Sequence, residues 1–374
     1  MKGAMLAWAA VIVVSMALGG ATVVGIEQVT NDKGNATSVI TQAAPSTTAP
    51  VTNGGAAEDL SALYAKVRNS VVTIEGSSSR TGAGGIGSGI VIDKQGRILT
   101  NNHVVSGFNA LDVSFADGNS YAAKVVGTDP GNDLALIQVT SAPADELQPA
   151  VLGDSDKIKV GELAVAVGNP LNLRGSVTSG IVSGVGRTLN GNGGRPLRQL
   201  IQSDAAINPG NSGGALFNAN GEVIGITTAL DNPNGETAFV GIGYSVPINT
   251  AKRFLPQLLA GQTITHPKIG IGLQDVTPSL ANSLGLSVDN GVLVTTIESG
   301  SAAAKAGLQA GNTRTGAGGD VIVGIDSTQV KSFDDLANYL DTKKPGDKIQ
   351  LKIVRDGKDM TVDITLDAWQ LGSA

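Results

Sequence analysis

Apolar positions along this chain fall into three regimes. From Ala4 to Ile26 no residue is charged, and a run of that length makes a helix of roughly 30 Å, the depth of a hydrocarbon core. It predicts one N-terminal transmembrane helix within 1–27, with Lys2 on one side and Glu27 and Asp32 on the other, so that the body of the chain is exported. A signal peptide cleaved near Ala17, Gly19 or Ala21 is the alternative, and it leaves the body on the same side. From 28 to 57 Thr, Ala, Asn, Gly, Ser and Pro dominate without a period, which predicts a disordered linker.

The second regime, 58–262, opens with EDLSALYAKVRNS, whose Leu60, Leu63, Tyr64 and Val67 recur at helical spacing. Short β-rich runs follow, separated by Gly, Asn and Asp: GIGSGIVID, GRILTNN, LDVSFADG, LALIQV, ELAVAVGN, VTSGIVSGVGR, GALFNANGEVIGITTA and VGIGYSVPI. Many strands with regular turn signals and few helices predict a mostly β barrel or sandwich, and the length suits two barrels. NTAKRFLPQLLAG supplies a closing helix. The third regime, 266–370, mixes strands (IGIGLQDV, GVLVTTI, DVIVGID, KIQLKIV, MTVDITL) with two helical pieces, SAAAKAG and SFDDLANYLDTK. It predicts a separate small α+β domain. His266, followed by Pro267, reads as punctuation between the two domains.

Composition narrows the chemistry. The chain has no cysteine and two histidines, which removes thiol nucleophiles and cysteine metal sites and leaves no material for a multi-histidine centre. No cofactor or metal is expected, and a histidine base must be His103 or His266. A net charge of -6 without any dense Lys/Arg tract argues against nucleic acid as a partner.

Three segments then bring together a nucleophile and the groups to activate it: GRILTNNHVV with His103, DPGNDLALIQV with Asp133, and AINPGNSGGAL with Ser212. Taken alone, each fits an ordinary role: a hydrogen-bonded histidine at a strand end, a turn aspartate (Asp133 or its neighbour Asp129), a Gly/Asn/Ser turn. Together and in this order they match the chymotrypsin arrangement, in which imidazole takes the serine proton and a carboxylate fixes the imidazole. Gly210, Gly213 and Gly214 let the backbone turn tightly beside Ser212. The amides of Gly210 and Ser212 are candidate oxyanion donors, with Asn211 between them as a support.

The colinear run LTNNHVV, NDLALIQV, LGDSDKIKVGELAVAVGNP, VTSGIVSGVGR, QSDAAINPGNSGGALFNANGEVIGI and GYSVPI resembles the HtrA (DegP-like) family of serine proteases. The resemblance implies a pair of six-stranded barrels with His103, Asp133 and Ser212 as triad and Gly210 with Ser212 as oxyanion donors. Ala206 and Ile207 precede the nucleophile, and Ile226, Thr227 and Thr228 are expected to line a substrate-pairing strand. No acid stands at the pocket base, so a small aliphatic residue before the scissile bond is expected. The C-terminal region is similar to the PDZ domains of the family, with Lys268, Ile269, Gly270 and Ile271 at the carboxylate-binding loop and a groove beside SFDDLANYLDTK. The segment NTRTGAGG (312–319) is inserted relative to the family pattern. Residues 58–70, the trimer surface in the family, offer Tyr64 as their aromatic anchor.

The function expected is ATP-independent cleavage of misfolded or signalling proteins, by a membrane-anchored homotrimer on the extracytoplasmic side of a bacterial envelope. C-terminal peptides are the expected partners of the PDZ domain. The alternatives are a holding protein with little turnover and an esterase, the latter disfavoured by the lack of a G-x-S-x-G elbow.

Overall fold

The computed structural model describes residues 60–168, 176–189, 195–228, 240–312 and 317–369. The expected anchor and linker lie outside them, and no helix among the described residues is long and apolar enough to cross a membrane. Helix α1 (Leu60–Val67) and a 3-10 turn lead into the first barrel. Its strands are β1 (Val71–Ser77), β2 (Gly84–Val91), β3 (Arg97–Thr100), β4 (Ala110–Ser114), β5 (Ser120–Asp129) and β6 (Leu134–Val139). They close in the order β1-β2-β3-β6-β5-β4, with the short helix α2 (Asn102–Val105) after β3.

The apolar runs RILT and LALI are continuous because both faces of these strands are covered. Ile98, Ala135 and Ile137 point into the first barrel with Ile74, Val91 and Val113. Their neighbours Leu99, Leu134 and Leu136 point the other way, into a cluster with Val165, Phe217, Val246 and Phe254. Successive side chains on a strand face opposite sides, so a strand buried on both loses the polar alternation of a half-exposed one. Each such Leu or Ile is worth about 1.5–3 kcal/mol of burial.

The second sheet comprises β7 (Val151–Leu152), β8 (Leu163–Gly168), β9 (Ser176–Leu189), β10 (Leu197–Ser203), β11 (Ala215–Phe217), β12 (Glu222–Thr228) and β13 (Gly243–Pro247). Its order is β11-β8-β9-β10-β13-β12-β7, and β11 also pairs with β12, so the strands after β7 form a second barrel. The two-residue β7 runs parallel to β12 and is not foreshadowed by the sequence pattern. Helix α3 (Ile248–Leu259) packs Ile248, Ala251, Phe254 and Leu258 inward, one stripe of an amphipathic helix. Tyr64 packs partly against the same core, so much of the expected anchor is used within the chain.

The C-terminal domain carries β14 (Pro267–Lys268), β15 (Ile271–Asp275), β16 (Val292–Ile297), β17 (Val321–Ile325), β18 (Thr328–Gln329), β19 (Lys348–Arg355), β20 (Lys358–Thr365) and β21 (Asp367–Ala368). Helices α4 (Pro278–Leu284), α5 (Ala302–Lys305) and α6 (Phe333–Leu340) accompany them. The sequence states where α6 begins: Ser332 accepts from the Asp335 amide while Asp335 accepts from the Ser332 amide, a capping box. The inserted segment leaves the domain from a pinned base, since the Asn312 amide donates to the Ala317 carbonyl at 2.8 Å. Residues 313–316 lie outside the described residues.

Candidate active site

His103 sits on α2, immediately after β3, and Asp133 ends the turn between β5 and β6. Two contacts join them: His103 Nδ1 lies 2.8 Å from Asp133 Oδ2, and the His103 amide donates to Asp133 Oδ1 at 3.0 Å. A carboxylate only accepts, so the ring hydrogen sits on Nδ1 and Nε2 faces away as the free acceptor when the ring is neutral. Burial pulls the His103 pKa down, but the Asp133 hydrogen bond and charge together outweigh it, and the imidazole stands above its ordinary value. Asp133 itself has φ 53°, a left-handed conformation that Asp tolerates better than most residues. Asn101 Nδ2 holds its carbonyl at 2.9 Å.

The serine loop is held by a separate set of bonds. The Ser88 amide donates to the Ser212 carbonyl at 2.7 Å, and Ser88 Oγ donates to the Gly210 carbonyl at 2.7 Å. Gly210 and Gly213 have φ 98° and 83°. At Gly213 a Cβ would stand 2.2 Å from both the Ser88 carbonyl oxygen and Thr100 Oγ1, so the turn requires glycine for space as well as for backbone angle. Asn211 is buried and its Nδ2 reaches back to the Ala206 carbonyl at 3.4 Å, a support inside the loop.

Strand β12 stitches the two halves. The Gly213 amide donates to the Thr227 carbonyl and the Thr227 amide to the Gly214 carbonyl, at 2.8 and 2.9 Å. Thr227 Oγ1 donates to the Asn211 carbonyl at 2.5 Å, and Thr228 Oγ1 donates to Asp133 Oδ2 at 3.1 Å. Ile226, Thr227 and Thr228, expected to line a substrate strand, are 0%, 0% and 1% exposed. Their side chains are used inward: Ile226 in the core, Thr227 on the serine loop, Thr228 on Asp133. The sequence points to Thr228 but carries no sign of its bond to Asp133. Ile207 packs against Gly243, where a Cβ would come 2.7 Å from Ile207 Cδ1.

In the C-terminal domain a groove of about 520 Å³ runs between β15 and α6, bordered by Ile269, Gly270, Ile271, Leu336 and Leu340. Gly270 has φ 82° and a Cβ there would meet Ser301 at 2.3 Å. Ile269 is largely committed to the domain core, while Ile271 is half-buried at the groove. His266 is more than punctuation: it is 4% exposed, with Nε2 2.6 Å from Asp129 Oδ1. Among the described residues no group of His, Asp and Glu is arranged to hold a metal ion.

Comparisons with known proteins show what the chain is similar to. Residues 87–226 match the trypsin-like peptidase domain family and residues 267–366 the PDZ domain family. The periplasmic pH-dependent serine endoprotease DegQ of Escherichia coli is 40% identical over 292 residues, which cover 78% of this chain and 61% of that protein. The periplasmic serine endoprotease DegP of Salmonella typhimurium is 40% identical over 282 residues, covering 75% of this chain and 56% of that protein. The chain thus matches less than two thirds of these relatives' length. Among solved structures, the HtrA-type protease AlgW with tripeptide superposes with TM-score 0.71 at 31% identity, covering 82% of this chain and 96% of that one.

Proposed function

The chain belongs to the HtrA family of serine proteases, and from that premise we propose that it is an ATP-independent serine endopeptidase of the bacterial envelope that cleaves unfolded or regulatory proteins. The observation that carries the reading is Asp133, which bonds His103 twice and accepts from Thr228 on the strand that also holds the Ser212 loop. In this reading His103 Nε2 takes the Ser212 hydroxyl proton as Oγ attacks the scissile carbonyl, and returns it to the leaving amine. Asp133 keeps the proton on Nδ1 and stabilises the imidazolium that forms. The amides of Gly210 and Ser212 receive the developing oxyanion, where one such donor is typically worth about 100- to 1000-fold in rate. Water then attacks the acyl-enzyme by the same route.

Ile207, packed over Gly243, favours a small aliphatic side chain before the scissile bond. The groove beside α6 takes a peptide C-terminus as an added strand on β15, its carboxylate on the loop at Gly270. A trimer and an anchor within 1–27, or a cleaved leader there, complete the proposal on the family resemblance and the apolar run. The test is covalent: the full chain is incubated with a fluorophosphonate and a C-terminal peptide, then mapped by mass spectrometry. One adduct at Ser212, abolished by His103→Ala, is expected. An unmodified Ser212 in folded protein, with or without peptide, contradicts the assignment.

A further inference from the structure

The turn that presents Asp133 is gripped from its other side by a buried polar cluster that the roles above do not use. Asp129 is 0% exposed and accepts from Asn132 Nδ2 at 2.7 Å and from the Asn132 amide at 3.2 Å, closing residues 129–132 into a tight loop. Its Oδ1 also takes the hydrogen of His266 Nε2 at 2.6 Å. Arg195 Nη1 donates to the Gly131 carbonyl at 2.7 Å and to Asn132 Oδ1 at 2.8 Å. Its Nη2 donates to Asp341 Oδ1 at 2.9 Å, just beyond α6. Asp341 also accepts from Arg198 Nη2 at 2.6 Å and pairs with Arg253 Nη1 at 3.5 Å.

Packing fixes the same loop. The His266 ring stands edge-on to Phe254 of α3, 5.2 Å between centroids at 83°. It also covers Gly131 so closely that a Cβ there would lie 2.5 Å from His266 Cδ2. The charged groups around the imidazole are Asp129 from the end of β5, Asp341 with an oxygen 3.9 Å from Nδ1, and Arg195, which bridges Asp341 to the loop. Asn132 therefore has both side-chain ends tied, one residue before Asp133.

We infer that Asn132, Asp129, His266 and Arg195 are positioning residues for Asp133, with Asp341 extending the set into the C-terminal domain. The inference rests on reading Asp133 as the triad acid. A left-handed non-glycine residue persists where its surroundings over-determine it, and Asp133 is clamped by Asn101 behind and by the tied Asn132 in front. Arg195 and Asp341 also line the groove beside α6, so a ligand there meets two members of the set.

The chain has two histidines, so His266→Gln leaves His103 as the single histidine signal. The full chain and this variant are compared by NMR titration of 13C-labelled histidine and by peptide hydrolysis normalised to folded protein. The expected result is a kcat lower by about 10- to 100-fold, the scale of a small misplacement of a catalytic group, with KM within about 2-fold. The His103 midpoint moves down as Asp133 loses alignment. An unchanged midpoint with unchanged kcat, whatever happens to thermal stability, overturns the inference. Should His266→Gln fail to fold, Asn132→Ala gives the same two readouts. A wild-type chain that hydrolyses no peptide sinks the protease reading instead, and the His103 titration still decides whether the cluster positions Asp133.

Discussion

Gly213→Ala is the perturbation whose size follows most directly from the geometry. The native φ of 83° costs an L-residue about 1–2 kcal/mol. The added methyl would sit 2.2 Å from the Ser88 carbonyl oxygen and from Thr100 Oγ1, which already bond each other at 2.7 Å. One obstacle is backbone within β2 and the other a buried β-branched side chain, so neither moves aside freely, and overpacking adds about 1–3 kcal/mol. Gly107→Ala is the comparison, because φ is 82° there with no atom within 4 Å of the added Cβ. Only the backbone cost applies to it. At about 2–4 °C per kcal/mol, calorimetry should place Gly213→Ala a further 2–12 °C or so below Gly107→Ala. Fluorophosphonate labelling of Ser212 should slow in the first variant alone. Equal melting temperatures with equal labelling rates would refute the claim that this turn is sterically closed.

Other outcomes follow from the same contacts. Asp133→Asn should lower kcat by about 10,000-fold, because an amide that donates to Nδ1 favours the wrong tautomer, while circular dichroism stays native. His103 must be neutral to accept a proton, and its pKa is raised on balance. The acid limb of the kcat/KM profile should therefore have its midpoint above about 6.5, with activity lost as pH falls through it, and Thr228→Val should change that midpoint. In the C-terminal domain Arg355 meets the fully buried Asp320 through Nε and Nη2 at 2.6 and 2.8 Å. Arg355→Met leaves that carboxylate with the Gln309 amide but no cation and should cost about 3–5 kcal/mol, read as an earlier denaturation midpoint by circular dichroism.

What the sequence makes legible here is what depends on local pattern. The runs RILT and LALIQV state their strands, Ser332 and Asp335 state the start of α6, and three short motifs in order point to His103, Asp133 and Ser212. What it hides depends on partners far apart in the chain. His266 lies 137 residues from Asp129, and nothing in THPKIG distinguishes a buried, bonded imidazole from an exposed one. Thr227 and Thr228 read as strand residues with an open face, yet β13 on one side and the serine loop on the other bury both hydroxyls. Arg195 follows a glycine-rich stretch that reads as loop, and only the fold brings it against Asn132 and Asp341. The φ of Asp133 is likewise a product of what surrounds the turn.

Serine endopeptidase action through Ser212 can be measured by digesting unfolded casein with the full chain and with its Ser212→Ala variant, each with and without a C-terminal peptide. Fragments ending in small aliphatic residues with the wild type, and none with the variant, are the predicted result. Equal binding of casein by both proteins with cleavage by neither, peptide present, would contradict it.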